Sequence, residues 1–170
     1  MPTPDIQAEA RRQELRSLLR KGSAEPAARD PERIVDTALA FVGKLRAQHN
    51  APLDRKRLDE VAALAGLVAD EDWQVPPSLE PRVLVALSHF ADGCESRNEV
   101  RPEQAADLVR LLAEDLREEL NGFRAFTSQR AKLGRRRAGD GSERRDLLAL
   151  RRRQIRARIQ GRRWRRAPSS

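Results

Sequence analysis

The chain has 170 residues, of which 35% are charged and 4% aromatic, and its formal net charge is +8. The single cysteine, Cys94, excludes an internal disulfide, and the most apolar run, Val83 to Ala91, is far shorter than the ~20 residues of a membrane-spanning helix. No phosphate-binding loop, dinucleotide fingerprint or zinc motif occurs. We therefore expect no catalytic residues, no metal and no cofactor, no small-molecule substrate, and a cytoplasmic location.

The composition indicates the fold class. Alanine, leucine, arginine and glutamate are frequent and favour helices, while runs of β-branched residues are few. We predict an all-α protein, a helical bundle of about five helices with a basic C-terminal helical arm. The predicted segments are a peripheral N-terminal helix at 1–27, the bundle at 28–128, a flexible basic linker at 129–141, an arginine-rich helix at 142–166 and a disordered tail at 167–170.

The first three helices follow from apolar spacing and end signals. A helix with a thin apolar stripe is predicted from Asp5 to Lys21, ended by Gly22. A second begins at Asp30-Pro31-Glu32, where Asp30 can cap the helix and Pro31 suits the first helical position. The third is predicted over 53–70, with a buried face of Leu58, Val61, Ala62, Ala65 and Val68.

The next two helices form the rest of the predicted bundle. The fourth begins at Ser78 or Glu80 and ends at Asp92-Gly93, and it is apolar almost all round, which is typical of a central helix. A polar loop is expected from Cys94 to Arg101. The fifth and longest runs over 102–126, with a possible bend at Asn121-Gly122. Phe123 and Phe126 end its apolar stripe, where they form either core or a partner surface, and core is favoured.

The charge is distributed unevenly along the chain. Residues 130–170 hold 16 lysines and arginines against three acids, whereas residues 1–129 hold 18 against 23. Such a concentration of arginine predicts a polyanionic partner, because arginine binds phosphate with two parallel hydrogen bonds and a tryptophan can stack on a base. The candidate polyanion-binding residues are Arg135, Arg136, Arg137, Arg151, Arg152, Arg153, Arg156, Arg158, Arg162, Arg163, Trp164, Arg165 and Arg166.

Several partners suit this basic segment. The favoured one is nucleic acid, DNA or RNA, contacted through the phosphate backbone without sequence readout, because no base-recognition module is visible. The alternative is a protein-interaction or assembly factor whose basic helix docks on an acidic protein or on an anionic membrane surface. The segment could also fold back on acids of its own chain, at 70–72 or 114–119. In each case we predict a non-enzymatic binding or adaptor protein.

Weaker chemical patterns have simpler interpretations. Asp70-Glu71-Asp72 lacks other acids at defined spacing, so a solvated acidic loop is favoured over a metal site, and Trp73 is expected to close the end of the bundle. Ser88-His89 lies near Cys94, but no nucleophile motif accompanies them. We expect His89 to be a core residue and Cys94 to be an exposed thiol.

Four stretches, in order, resemble the YkvA-like family of small helical bacterial proteins. They are Leu67-Val68-Ala69-Asp70-Glu71-Asp72-Trp73 with Val75-Pro76, Arg82-Val83-Leu84-Val85-Ala86-Leu87-Ser88-His89-Phe90-Ala91-Asp92, Leu116-Arg117-Glu118-Glu119-Leu120 with Phe123-Arg124-Ala125-Phe126, and the arginines of 151–166. The second is similar to the family's "ALAYFADP" helix. The family's "DLIPD…PGLGFLDDA" loop is missing, since 93–102 lacks its glycines and paired aspartates. The resemblance implies a helical fold but does not indicate a function, and this chain would be a divergent member of the family.

Overall fold

The computed structural model describes residues 4–24, 30–49, 51–95, 102–135 and 141–166. These residues form seven helices and no strand, so the chain is all-α with more helices than the five predicted. None of the described helices has the length and apolar content needed to cross a membrane. The helices are α1 Pro4–Ala24, α2 Pro31–Ala47, α3 Arg55–Ala69, α4 Glu80–Glu95, α5 Pro102–Asp115, α6 Arg117–Arg135 and α7 Gly141–Arg166.

The chain divides into two compact units. The first comprises residues 1–69 and 75–115, and the second comprises residues 70–74 and 116–170. The helix predicted over 102–126 is two helices, because α5 ends at Asp115 and α6 begins at Arg117. Gly122, where a bend was expected, lies inside α6, and α6 continues to Arg135 through residues expected to be linker.

In the first unit α4 is central, as its apolar composition predicted. It packs against α1, α2, α3 and α5. Val83, Leu87 and Phe90 of α4 are fully buried, and burying a side chain of this size stabilises the fold by about 1.5–3 kcal/mol. The buried face of α3 differs from the predicted one. Leu64 and Leu67 are buried, whereas Ala62 and Val68, which were predicted to be buried, are only partly buried. The face is shifted because α3 contacts three helices, α2, α4 and α5.

The ends of α1 and α2 show which of the predicted helix-end signals operate in the first unit. The Asp30 carboxylate accepts a hydrogen bond from the Glu32 backbone N–H at 3.2 Å, so the predicted cap of α2 is confirmed. Gly22 does not end α1. A methyl group added there would lie 2.8 Å from Val85 Cγ2 of α4. The missing side chain of Gly22 therefore lets α1 approach α4, where Leu15 and Leu19 are buried.

The second unit is a pair of antiparallel helices with the short loop of residues 70–74. A methyl group added to Gly122 of α6 would lie 2.8 Å from Ile159 Cδ1 and 2.9 Å from Ile155 Cγ2 of α7. Leu148 and Ile159 are the buried apolar residues of α7. The basic C-terminal segment is thus a helix that packs on α6 between residues 141 and 166, rather than an isolated arm.

Candidate nucleic-acid interface

The loop of residues 70–74 is tightly wound. The Asp70 carbonyl accepts hydrogen bonds from the backbone N–H groups of Trp73 at 3.1 Å and Gln74 at 3.2 Å. The Asp70 carboxylate also accepts from the Trp73 N–H at 3.0 Å. Gln74 has a φ of 52°, a left-handed conformation that costs a non-glycine residue about 1–2 kcal/mol. Other contacts must therefore hold this loop in place.

Trp73 anchors the loop in the apolar core of the second unit. Its side chain is fully buried. Its ring centroid lies 5.8 Å from that of Phe123 and 5.3 Å from that of Phe126, with tilted planes. Phe123 and Phe126 are buried as well. Both residues therefore belong to the core of the second unit, the interpretation favoured from the sequence, and Trp73 packs against them.

Arg130 of α6 holds the acidic end of the loop. Its guanidinium donates two hydrogen bonds to the Asp70 carboxylate, at 2.9 Å and 2.6 Å, and one to Asp72 at 3.1 Å. The hydrogen bond to Asp70 is the main cause of the raised pKa of Arg130, which burial opposes. The Asp70 side chain is only 9% exposed, so residues 70–72 are not simply a solvated loop.

Two arginines of α7 hold the loop backbone. Arg152 donates to the Asp72 carbonyl at 2.7 Å, and Arg156 donates to the carbonyls of Trp73 at 3.0 Å and of Gln74. The Arg156 guanidinium also lies 5.0 Å from the Trp73 ring centroid, a cation–π distance. We call Arg130, Arg152 and Arg156 the loop clamp.

A buried carboxylate lies beside the loop clamp. Glu119 Oε1 of α6 lies 3.7 Å from Arg156 Nη2, and the Glu119 side chain is almost fully buried. Burial lowers the pKa of Arg156, Glu119 opposes that shift, and Arg152 adds to it. Two of the predicted polyanion-binding residues, Arg152 and Arg156, therefore already have partners within the second unit.

The other described arginines of α7 are exposed. The helix has 11 arginines and only two acids, Glu143 and Asp146. Within the described part of the chain, six of these arginines form no ion pair and remain exposed; they are Arg144, Arg145, Arg151, Arg153, Arg158 and Arg162. Arg144 and Arg145 were not singled out from the sequence, although they begin the same helix.

The remaining predicted residues are only partly described. Arg163, Trp164, Arg165 and Arg166 lie in α7, and Arg135 is the last residue of α6. The side chains of these five residues lie outside the described part of the chain, as do Arg136 and Arg137 entirely. The predicted tail at 167–170 and most of the predicted loop at 94–101 are outside it as well.

α7 also exposes two leucines. Leu147 is 46% exposed and Leu150 is 47% exposed, whereas Leu148 between them is buried. An apolar pair among arginines can contact a protein or a lipid surface as well as a nucleic acid. These leucines therefore provide a way to discriminate between the partners.

Cys94 and His89 of the first unit, which were considered as catalytic candidates, do not have the surroundings predicted from the sequence. Cys94 is in the last turn of α4, not in a loop, and burial raises the pKa of its thiol to about 11, so the thiol stays protonated at neutral pH. His89 is partly exposed rather than core. Among the described residues no three histidine, cysteine, aspartate or glutamate side chains gather to hold a metal ion.

No family model, curated protein or solved structure matches the chain. The resemblance to the YkvA-like family consequently stays a prediction.

Proposed function

We propose that this is a non-enzymatic binding protein of the cytoplasm whose helix α7 contacts the phosphate backbone of nucleic acid without reading its sequence. The six exposed arginines of α7 that have no carboxylate partner among the described residues carry this proposal. Arg145 donates a hydrogen bond to the Gly141 carbonyl and Arg151 donates one to the Gln154 side chain, but neither contact neutralises the positive charge. Exposed guanidinium groups on one helix attract phosphates, which arginine binds with two hydrogen bonds.

The packing of α7 supports the proposal physically. An isolated helix with this density of arginine would repel itself. Here Leu148 and Ile159 of α7 are buried within the second unit, and Arg152 and Arg156 bind the loop carbonyls. The arginines that are not used for folding are therefore presented in a fixed arrangement, which lowers the entropy cost of binding.

The test is binding of the full chain to fluorescently labelled nucleic acid at several salt concentrations. We expect the logarithm of the affinity to fall linearly with the logarithm of the salt concentration, with a slope of about −0.9 for each phosphate contacted on duplex DNA. Random-sequence and defined-sequence oligonucleotides should bind equally. Absence of binding to any nucleic acid at 50 to 200 mM salt, a range of roughly physiological strength, would overturn the proposal.

A second candidate function has one observation in its favour. Leu147 and Leu150 are exposed beside the arginines, so α7 could dock on an acidic protein or an anionic membrane instead. Replacing both leucines by serine separates the candidates. Binding to phosphate backbone should survive the double substitution, whereas binding to anionic vesicles or to an apolar protein surface should be lost.

A further inference from the structure

The exposed arginines of α7 are not scattered around the helix. Arg144, Arg151 and Arg158 follow one another at intervals of seven residues, which is about 20° short of two full helical turns. Arg162 lies four residues after Arg158, about 40° back in the other direction. These four side chains therefore lie within about 40° of arc. We call them the arginine row.

The arginine row is straight and long. At about 1.5 Å per residue it extends about 21 Å from Arg144 to Arg158 and about 27 Å to Arg162. All four side chains are exposed, and none forms an ion pair with another described residue. Because Leu148 and Ile159 of the same helix are buried, the row is carried on a helix that is anchored near both ends.

Other exposed arginines of α7 lie off this row. Arg153 is two residues from Arg151, and so lies about 160° away around the helix. Arg145 lies about 100° from Arg144. With a helix diameter of about 10–12 Å, Arg153 is separated from the row by more than the screening length of about 10 Å at 0.1 M salt. Arg145 and Arg153 are thus matched controls on the same element.

Nothing in the described part of the second unit favours single strands. Proteins that bind single-stranded nucleic acid use exposed aromatic rings on which bases stack. The described rings here are Trp73, Phe123 and Phe126, and all three are buried. A fixed, straight row of cations suits a rigid duplex, which carries about one negative charge per 1.7 Å of its axis.

Resting on the proposed function, we propose that the partner is double-stranded nucleic acid and that the arginine row is the surface that contacts its phosphates. The loop clamp takes no part in this contact, because Arg152 and Arg156 bind the carbonyls of 72–74. DNA and RNA duplexes share this phosphate chemistry, and separate arms of the experiment distinguish them. Bound in this way, the helix would lie along the backbone and leave the base edges unread.

The experiment compares two double variants of the full chain that each lose two positive charges. R151A/R158A removes two members of the row, and R145A/R153A removes the two controls. With 20-base-pair duplex DNA, R151A/R158A should bind about 10- to 50-fold more weakly near 0.1 M salt, and its salt slope should be shallower by about 1.8. R145A/R153A should bind only about two- to fourfold more weakly than wild type, because these two arginines add to the positive field of α7 but lie off the row.

The binding experiment uses one base sequence in three forms: duplex DNA, duplex RNA and single-stranded DNA. Duplexes should bind at least tenfold more tightly than the single strand. If the wild-type protein binds nucleic acid but both double variants lower the affinity equally, the arginine row is not the contact surface, while the proposed function stands. Equal or tighter binding of the single strand would also overturn the inference, whereas failure of wild type to bind any form would overturn the proposed function itself. Circular dichroism should show equal helix content in both variants.

Discussion

At the scale of single residues, Arg130 is the side chain that holds the acidic end of the loop of residues 70–74. It donates three hydrogen bonds to two carboxylates of the loop, and its guanidinium lies 5.7 Å from the ring centroid of Phe126. The pair Arg130 and Asp70 is separated by 60 positions along the chain. No local pattern in the sequence links these two residues, which is why the sequence predicted acids in solvent.

Replacing Arg130 by alanine should therefore destabilise the fold. We expect a loss of about 1–3 kcal/mol, because the carboxylate of Asp70 would remain largely buried without its charged donor. R130K should recover only part of this loss, since an ammonium group cannot donate the two parallel hydrogen bonds. The measurement is urea unfolding followed by circular dichroism.

The matched control for Arg130 is Arg124 on the same helix. Arg124 is exposed and makes only a 3.5 Å hydrogen bond with Asn121, so R124A should change the free energy of unfolding by less than about 0.5 kcal/mol. Equal destabilisation by R130A and R124A would show that the loop contact contributes nothing to stability.

At the scale of helices, the contact between α6 and α7 depends on Gly122. The sequence indicated a bend there, because glycine is a poor helix former. In the structure Gly122 is helical and faces Ile155, Ile159 and Trp73. Glycine is thus needed at position 122 because α6 and α7 approach each other closely there. The packing of α7 on α6 shows this reason, and the sequence does not.

A pair of glycine substitutions tests this interpretation. Gly161 of α7 has nothing within 4 Å of the position of an added methyl group, so G161A should stabilise the protein by about 0.5–1 kcal/mol through helix propensity. G122A gains the same propensity, but its methyl group would lie within 3 Å of two isoleucine carbons. We expect G122A to be destabilising by about 1 kcal/mol.

Thermal and urea unfolding of the two glycine variants provide the measurement. Equal stabilisation by G122A and G161A would contradict the close packing of α6 on α7 at Gly122.

At the scale of the whole molecule, the second unit is discontinuous in sequence. It combines 116–170 with the five residues of the loop between α3 and α4. Removing α7 would consequently do more than remove positive charge. It would take away Arg152 and Arg156, which bind the loop, and the isoleucines that face Gly122.

A chain ending at Arg135 should therefore expose Trp73. That chain contains Trp73 as its single tryptophan, so its fluorescence reports on this residue directly. We expect emission shifted to longer wavelength than that of the W164F full-length protein, in which Trp73 is also the single tryptophan, together with faster quenching by iodide or acrylamide. Identical emission from the two proteins would mean that α7 does not protect Trp73. Nucleic-acid binding is better tested with point variants than with this truncation.

The sequence alone determined much of the fold. Helix-forming composition, apolar spacing and the cap at Asp30 were enough to predict the all-α class, the start of α2 and the central position of α4, because these features depend on residues close together in the chain. The concentration of arginine after residue 130 likewise needs no structure to be recognised.

Only the tertiary structure decided which charges are used for folding. Asp70 and Arg130, or Gln74 and Arg156, meet across 60 or more residues, and such contacts have no periodic signature. They separate the arginines of α7 into those that hold the loop and those that face outward, a division that the linear sequence cannot contain. The physical reason is that burial is a property of the packed helices, whereas charge and propensity are properties of each residue.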